Sequence, residues 1–269
     1  MASRKILSVC QEIMPYLPET ELSGLSRRLV QAMQERGNEI RTFMPRYGCI
    51  NERRNQLHEV IRLSGMNLII DDNDHQLIIK VASIPSARIQ IYFIDNDDFF
   101  ARKAILTDAD GKEFEDNDER AIFFARGVLE TVKKLNWSPN IVHCMGWMSA
   151  VAPIYLKKVF NDDPLFRDVK VVVSLCGDRF EQPFDAAFAQ KVANEGVNDE
   201  KLADLTNPSY ENFYRFVIDY ADGIVVATDS ADPALVEYAR QSGKPMMEFE
   251  SVEEAVMFDN YNRFYEEIQ

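Results

Sequence analysis

The chain is short of several residue types, and each shortage rules something out. Its 269 residues include four cysteines, Cys10, Cys49, Cys144 and Cys176, and none belongs to a C-x-x-C pair. Such spacing excludes a disulfide framework and points to reduced thiols in a cytoplasmic protein. The three histidines, His58, His75 and His143, are scattered, so no Ser/His/Asp arrangement can be built from spacing alone. Basic residues are few: 30 Lys and Arg against 44 Asp and Glu leave a net charge of −14. That field would repel nucleic acid and an anionic membrane, so neither is expected as a partner. A neutral polymer such as a polysaccharide would not feel it. No apolar stretch approaches the ~20 residues of a membrane span. The opening MASRKILSVCQEI has too short an apolar run for a signal peptide, and no small-residue cleavage site follows. There is no repeat, low-complexity tract or Pro/Gly/Ser linker, so residues 1–269 read as one domain.

Apolar spacing predicts alternating strands and helices. Strands are expected over 5–9, 39–44, 88–94, 140–143, 169–175 and 223–227, with a short one near 245–249. The runs 67–70 and 76–81 flank an Asp-rich turn and predict a β-hairpin. Leu22, Leu25, Leu29 and Met33 share one face of a first helix. Further helices are expected over 118–135, 147–160, 183–195, 199–205, 210–220, 232–242 and 252–267. The fold class is therefore α/β, a three-layer sandwich with a mostly parallel, Rossmann-like sheet plus the hairpin. Right-handed crossovers put the ends of the strands at 5–9, 140–143 and 169–175 on one side of that sheet.

The segment NIVHCMGWMSAVAPIYLKK, residues 140–158, runs from a buried strand through a loop into a helix. Strand ends of this kind lie where open α/β sheets bind ligands. Cys10, Cys144 and Cys176 all fall at predicted strand ends, with His143 beside one of them. Thiolate and imidazole suit a soft metal, but the ligands lack short-range spacing, and cysteine packs readily beside buried strands. No metal or other cofactor is expected. The turn PYLPETEL, residues 15–22, has no glycine, and Pro18 removes a backbone donor. Glu19 and Glu21 place carboxylates where a phosphate would need positive potential, so the turn reads as an acidic helix start suited to the helix dipole. The acidic and aromatic connection over 98–118 reads as either a mobile surface loop or part of a binding site. Its Asp108, Asp110, Glu113, Glu115 and Asp116 could hydrogen-bond sugar hydroxyls, and Tyr47, Tyr92 and Trp147 could stack on a sugar ring.

Taken in order, the motifs resemble a known family. They are a strand ending in Glu12-Ile13-Met14-Pro15, then RTFMPRYG (41–48), YFIDNDDF (92–99), DADGK (108–112), DNDER (116–120) and IVHCMGW (141–147). The chain is similar to the N-terminal domain of bacterial glycogen synthases and plant starch synthases. These are retaining GT-B glycosyltransferases that move glucose from ADP-glucose to an α-1,4-glucan. The resemblance is best over 5–175 and weaker through ADGIVVA (221–227) and 232–240. It implies a single GT-B half and an α-glucan or maltooligosaccharide as ligand. The substrate-binding positions it carries over are Glu12, Tyr92, Asp116, His143, Gly146, Trp147 and Cys176.

Departures from the family pattern shape the expected activity. The family's K-T-G-G-L turn is here Pro18, Glu19, Thr20, Glu21 and Leu22, so its lysine and glycines are replaced. Met145 stands where the family has a sugar-facing histidine, and a thioether cannot donate the hydrogen bond that histidine can. Leu175-Cys176-Gly177 replaces the family's I-H-N. The family's second, donor-holding domain is expected to be absent, leaving a short single-domain form. The resemblance then implies transfer only if a separate chain supplies the donor domain. The alternative is a non-catalytic relative that binds glucan or regulates a partner. A homodimer, or the last helix with Val256, Phe258, Tyr261, Phe264 and Tyr265, would cover the face left open.

Overall fold

The structure is a computed structural model that describes residues 3–85 and 87–269. β1 (Lys5–Cys10), α1 (Glu21–Glu35) and β2 (Glu39–Pro45) open the chain. β3 (His58–Glu59), β4 (Met66–Ile70), β5 (Asn73–Ile84) and β6 (Ile89–Asp95) follow, then the short α2 (Asp97–Phe100) and the long α3 (Asn117–Lys134). β7 (Ile141–Met145) leads through a 3-10 turn, Trp147–Ser149, into α4 (Ala152–Lys158) and β8 (Lys170–Leu175). After α5 (Phe188–Asn194), a 3-10 segment (Glu200–Thr206) and α6 (Tyr210–Tyr220) come β9 (Gly223–Val226), α7 (Pro233–Gln241), β10 (Met246–Met247) and α8 (Glu254–Glu267).

The strands form one sheet in the order β10-β9-β8-β7-β1-β2-β6-β5-β3, with β4 paired to β5 off that path. From β10 to β6 all pairings are parallel; β5 runs antiparallel to β6, β3 and β4. This is the mostly parallel α/β sandwich with a hairpin that the sequence predicts. The hairpin turn is tighter than the Asp-rich run suggests. Asp71 and Asp72 take positive φ of 47° and 64°, and β5 starts at Asn73, as a two-residue turn between twisted strands requires. Strand order reverses between β1 and β7. Right-handed crossovers therefore place α1 on one face and α3, α4 and α6 on the other.

Three predicted helices differ in extent. The stretch 147–160 breaks into the 3-10 turn and α4, because Pro153 has no N–H to continue a helix and instead begins one. The helix expected from 183 starts only at Phe188, since the Asp185 carboxylate accepts the Ala187 N–H at 2.7 Å and holds a turn before it. Residues 200–206 are 3-10 rather than α. The connection over 98–118 is pinned by the fully buried Arg120. Its Nε donates to the Phe99 carbonyl at 2.9 Å, Nη1 to Asn117 Oδ1 at 2.6 Å and Nη2 to the Ile105 carbonyl at 2.8 Å.

α8 returns to the α1 side of the sheet. Phe258, Tyr261, Phe264 and Tyr265 are buried there, while Val256 is 45% exposed and faces away. Each aromatic so buried contributes about 2 kcal/mol. Arg4 holds the helix through Asn262 at 2.9 Å and through Glu266, and Arg36 pairs with Asp259 at 2.7 Å. α8 thus covers the α1 side of the sheet near Arg4 and Arg36. No helix among the described residues is long and apolar enough to cross a membrane.

Candidate functional site at the strand switch point

The reversal of strand order between β1 and β7 makes their carboxyl ends the natural place for a ligand. Helices leave the two strands on opposite faces there and open a crevice. Backbone and side chains of both strands knit this end together. The Gln11 N–H donates to the Met145 carbonyl at 2.9 Å, and the Met148 N–H donates to Gln11 Oε1 at 3.0 Å. Between them Gly146 sits at φ 87°, ψ 149°, a conformation open almost only to glycine. A Cβ at that position would lie 2.5 Å from Gln11 Cβ. The Trp147 N–H then donates to Asp178 Oδ2 at 2.8 Å, which ties the turn to the end of β8.

Asp178 is the strongly perturbed acid of this site. Burial, and next the nearby Glu12 charge, raise its pKa to about 6 against the opposing Trp147 N–H. Its Oδ1 is buried without a hydrogen-bond partner. Glu12 accepts the Thr20 hydroxyl hydrogen bond at 2.8 Å and a longer one from Gln11 at 3.4 Å.

Of the positions the family pattern selects, the structure brings Glu12, Gly146 and Trp147 together here, with Cys176 at the neighbouring end of β8. Trp147 is 1% exposed, so its ring is packed against Phe180 and Phe184 at 5.3 and 5.6 Å rather than offered as an open platform. His143 lies deeper. Its ring nitrogens contact Tyr265 OH at 2.6 Å and Ser174 Oγ at 2.7 Å. Burial lowers its pKa to about 3, so the ring is neutral. Met145 is fully buried on the same face, with its sulfur 3.9 Å from the Ser26 hydroxyl on α1. Cys176 is buried and its thiol pushed well above the ordinary range by burial, so it is not a thiolate. Tyr92 and Asp116 lie elsewhere. Tyr92 stacks on Phe43 at 4.9 Å between β6 and β2, and Asp116 pairs with Arg102 before α3. Among the described residues no cluster of three or more His, Cys, Asp or Glu side chains is placed to hold a metal ion.

The β1–α1 turn is closed in the way its sequence suggests. Thr20 Oγ1 accepts the Ser23 N–H at 3.0 Å, and Ser23 Oγ accepts the Thr20 N–H at 2.8 Å, a reciprocal capping box. This box uses up the Ser23 N–H, one of the helix-start donors that a phosphate would need. Sequence reasoning missed Gln11 and Asp178. Both sit just past predicted strand ends, and that position was the available signal.

The sheet order and the switch-point turn define a GT-B-type glycosyltransferase half. The fold is similar to that of the catalytic domain of starch synthase IV from Arabidopsis thaliana, solved bound to ADP and acarbose. The TM-score is 0.72 over 92% of this chain and 51% of that one, at 15% identity. The sequence pattern of the starch synthase catalytic domain matches residues 5–232, so the chain belongs to that family. It is 39% identical over 172 residues to a glycogen synthase of Chlorobium limicola, covering 64% of this chain and 35% of the relative. It is 37% identical over 231 residues to that of Chlorobaculum tepidum, covering 80% of this chain and 47% of the relative. The chain therefore spans less than half the length of these curated relatives.

Proposed function

We propose that residues 1–269 form the glucan-holding half of a glycogen-synthase-type glucosyltransferase, one that transfers glucose only together with a donor domain lying outside these residues. The observation that carries this reading is the Gly146-Trp147 turn. It keeps a backbone open almost only to glycine and is clamped by Gln11 and Asp178, although Met145 and Cys176 replace polar residues of the family. The shape of the sugar site is retained while its donor groups are not. Glu12 and Asp178 supply carboxylate oxygens that can accept hydrogen bonds from sugar hydroxyls.

The nucleotide side is poorly provided for. Pro18, Glu19 and Glu21 offer no positive charge, and the Thr20–Ser23 capping box occupies the helix start. In this reading the ligand is an α-glucan, no cofactor is needed, and the leaving diphosphate is neutralised by groups outside residues 1–269. Those same features favour a second reading, a non-catalytic relative that binds glucan or regulates a glycogen-metabolism partner. A homodimer is the weaker partner assignment, because α8 already buries its aromatic face within these residues. The buried, unpaired Cys10, Cys144 and Cys176 suit a reducing, cytoplasmic setting.

The test is turnover. Purified residues 1–269 with ADP-glucose and glycogen should release no ADP above background, and release above background would overturn the proposed dependence on a donor domain.

A further inference from the structure

We infer that the cleft between residues 112–117 and 180–185 is a subsite for a neutral oligosaccharide chain, a location that rests on the glucan reading above and extends it. The cleft has a volume of 350 Å³ and is walled by the acidic connection on one side and the segment after β8 on the other. That volume lies at the small end of ligand pockets, which run from roughly 300 to 1,000 Å³.

The two walls are fixed to each other. Both carboxylate oxygens of Glu113 accept backbone N–H groups across the cleft, from Glu181 at 2.8 Å and Gln182 at 2.9 Å. Behind them Lys191 on α5 pairs with Asp118 at 2.9 Å and Glu119 at 2.6 Å on α3. The cleft is therefore built before any ligand arrives, which lowers the ordering cost of binding.

Its lining matches the two-sided chemistry of a sugar. Phe114, only half-buried, supplies apolar ring surface for a C–H face and is backed by the buried Phe180 and Phe184, while Glu115 and Gln182 supply exposed polar groups for hydroxyls. The Gln182 side chain makes no hydrogen bond among the described residues. Charge decides against other ligands. Among the described residues the one lining cation, Lys112, is held by Glu115 at 2.8 Å, while Glu113 and Asp185 add further negative charge, so a phosphate or nucleotide would be repelled.

The cleft also adjoins the switch point. Phe180 and Phe184 stack on each other at 4.2 Å and 19°, and both rest on Trp147. An oligosaccharide in the cleft thus lies one ring layer from the Gly146-Trp147 turn.

The experiment is a calorimetric titration of the full chain with maltoheptaose, followed in parallel by tryptophan emission. It compares wild type with the double variant Glu115→Ala/Gln182→Ala, whose side chains are exposed and outside the core. Losing two polar contacts should weaken binding by about tenfold and shrink the emission change. Phe114→Ala should weaken it as well, by a different kind of contact. Wild-type binding with both variants unaffected would overturn the cleft assignment while leaving the glucan reading intact. No response of the wild type to maltoheptaose would overturn both.

Discussion

His143 and Met145 on β7 and the next residues, Gly146 and Trp147, are buried neighbours in sequence with different surroundings. The first pair is sealed beneath α8 and α1, where His143 is neutral and both its ring nitrogens are engaged by Tyr265 and Ser174. The second pair forms the turn at the strand switch point, held by hydrogen bonds from outside its own segment. One stretch of a family motif thus divides into a part that builds the sheet and a part that forms the turn at its switch point. The difference teaches that a histidine at a strand end is not evidence of chemistry until its nitrogens are counted.

The contrast can be broken most severely at the turn. Gly146→Ala should cost about 4 kcal/mol, combining a backbone strain of roughly 1–3 kcal/mol with overpacking against Gln11 of similar size. Urea unfolding measures it, and a loss below about 1 kcal/mol would mean that the turn relaxes freely. On the buried side, His143→Ala should cost about 3 kcal/mol at neutral pH, since the Tyr265 and Ser174 hydroxyls lose their partner.

The two regions should also respond oppositely to pH. His143 has its pKa lowered from 6.5 to about 3 in the folded chain. Below 6.5 the unfolded chain takes up a proton that the folded chain refuses, so this group removes stability as pH falls towards 3. Asp178 has its pKa raised from 3.8 to about 6. Between those values the folded chain keeps a proton that the unfolded chain releases, so its contribution is full below 3.8 and is lost as pH rises through 6. A two-unit shift corresponds to about 3 kcal/mol. His143→Gln should flatten the acid loss, and Asp178→Asn should remove the opposing slope. Unfolding midpoints measured from pH 4 to pH 7 would show both, and an Asp178→Asn profile parallel to wild type would refute the second.

Much of the fold was legible because burial leaves a periodic trace. Leu22, Leu25, Leu29 and Met33 pack inward on α1 as their spacing predicts, and β7 reads as a continuous apolar strand because helices cover both its faces. Helix limits were less legible where local hydrogen bonds compete with helix, as at Asp185 and Pro153. The short β3 left no trace, since both His58 and Glu59 are exposed and polar. At the site, the turn could be placed from sequence, but its clamps could not. Gln11 and Asp178 reach Met148 and Trp147 across 137 and 31 residues, and no local pattern encodes a contact of that span.

The central claim is that this half of a GT-B cleft keeps the surface for glucan and not the one for nucleotide. Parallel calorimetric titrations of the purified chain with maltoheptaose and with ADP test it directly. The account predicts saturable heat with the oligosaccharide and none with ADP. Tight ADP binding with no oligosaccharide response would contradict it.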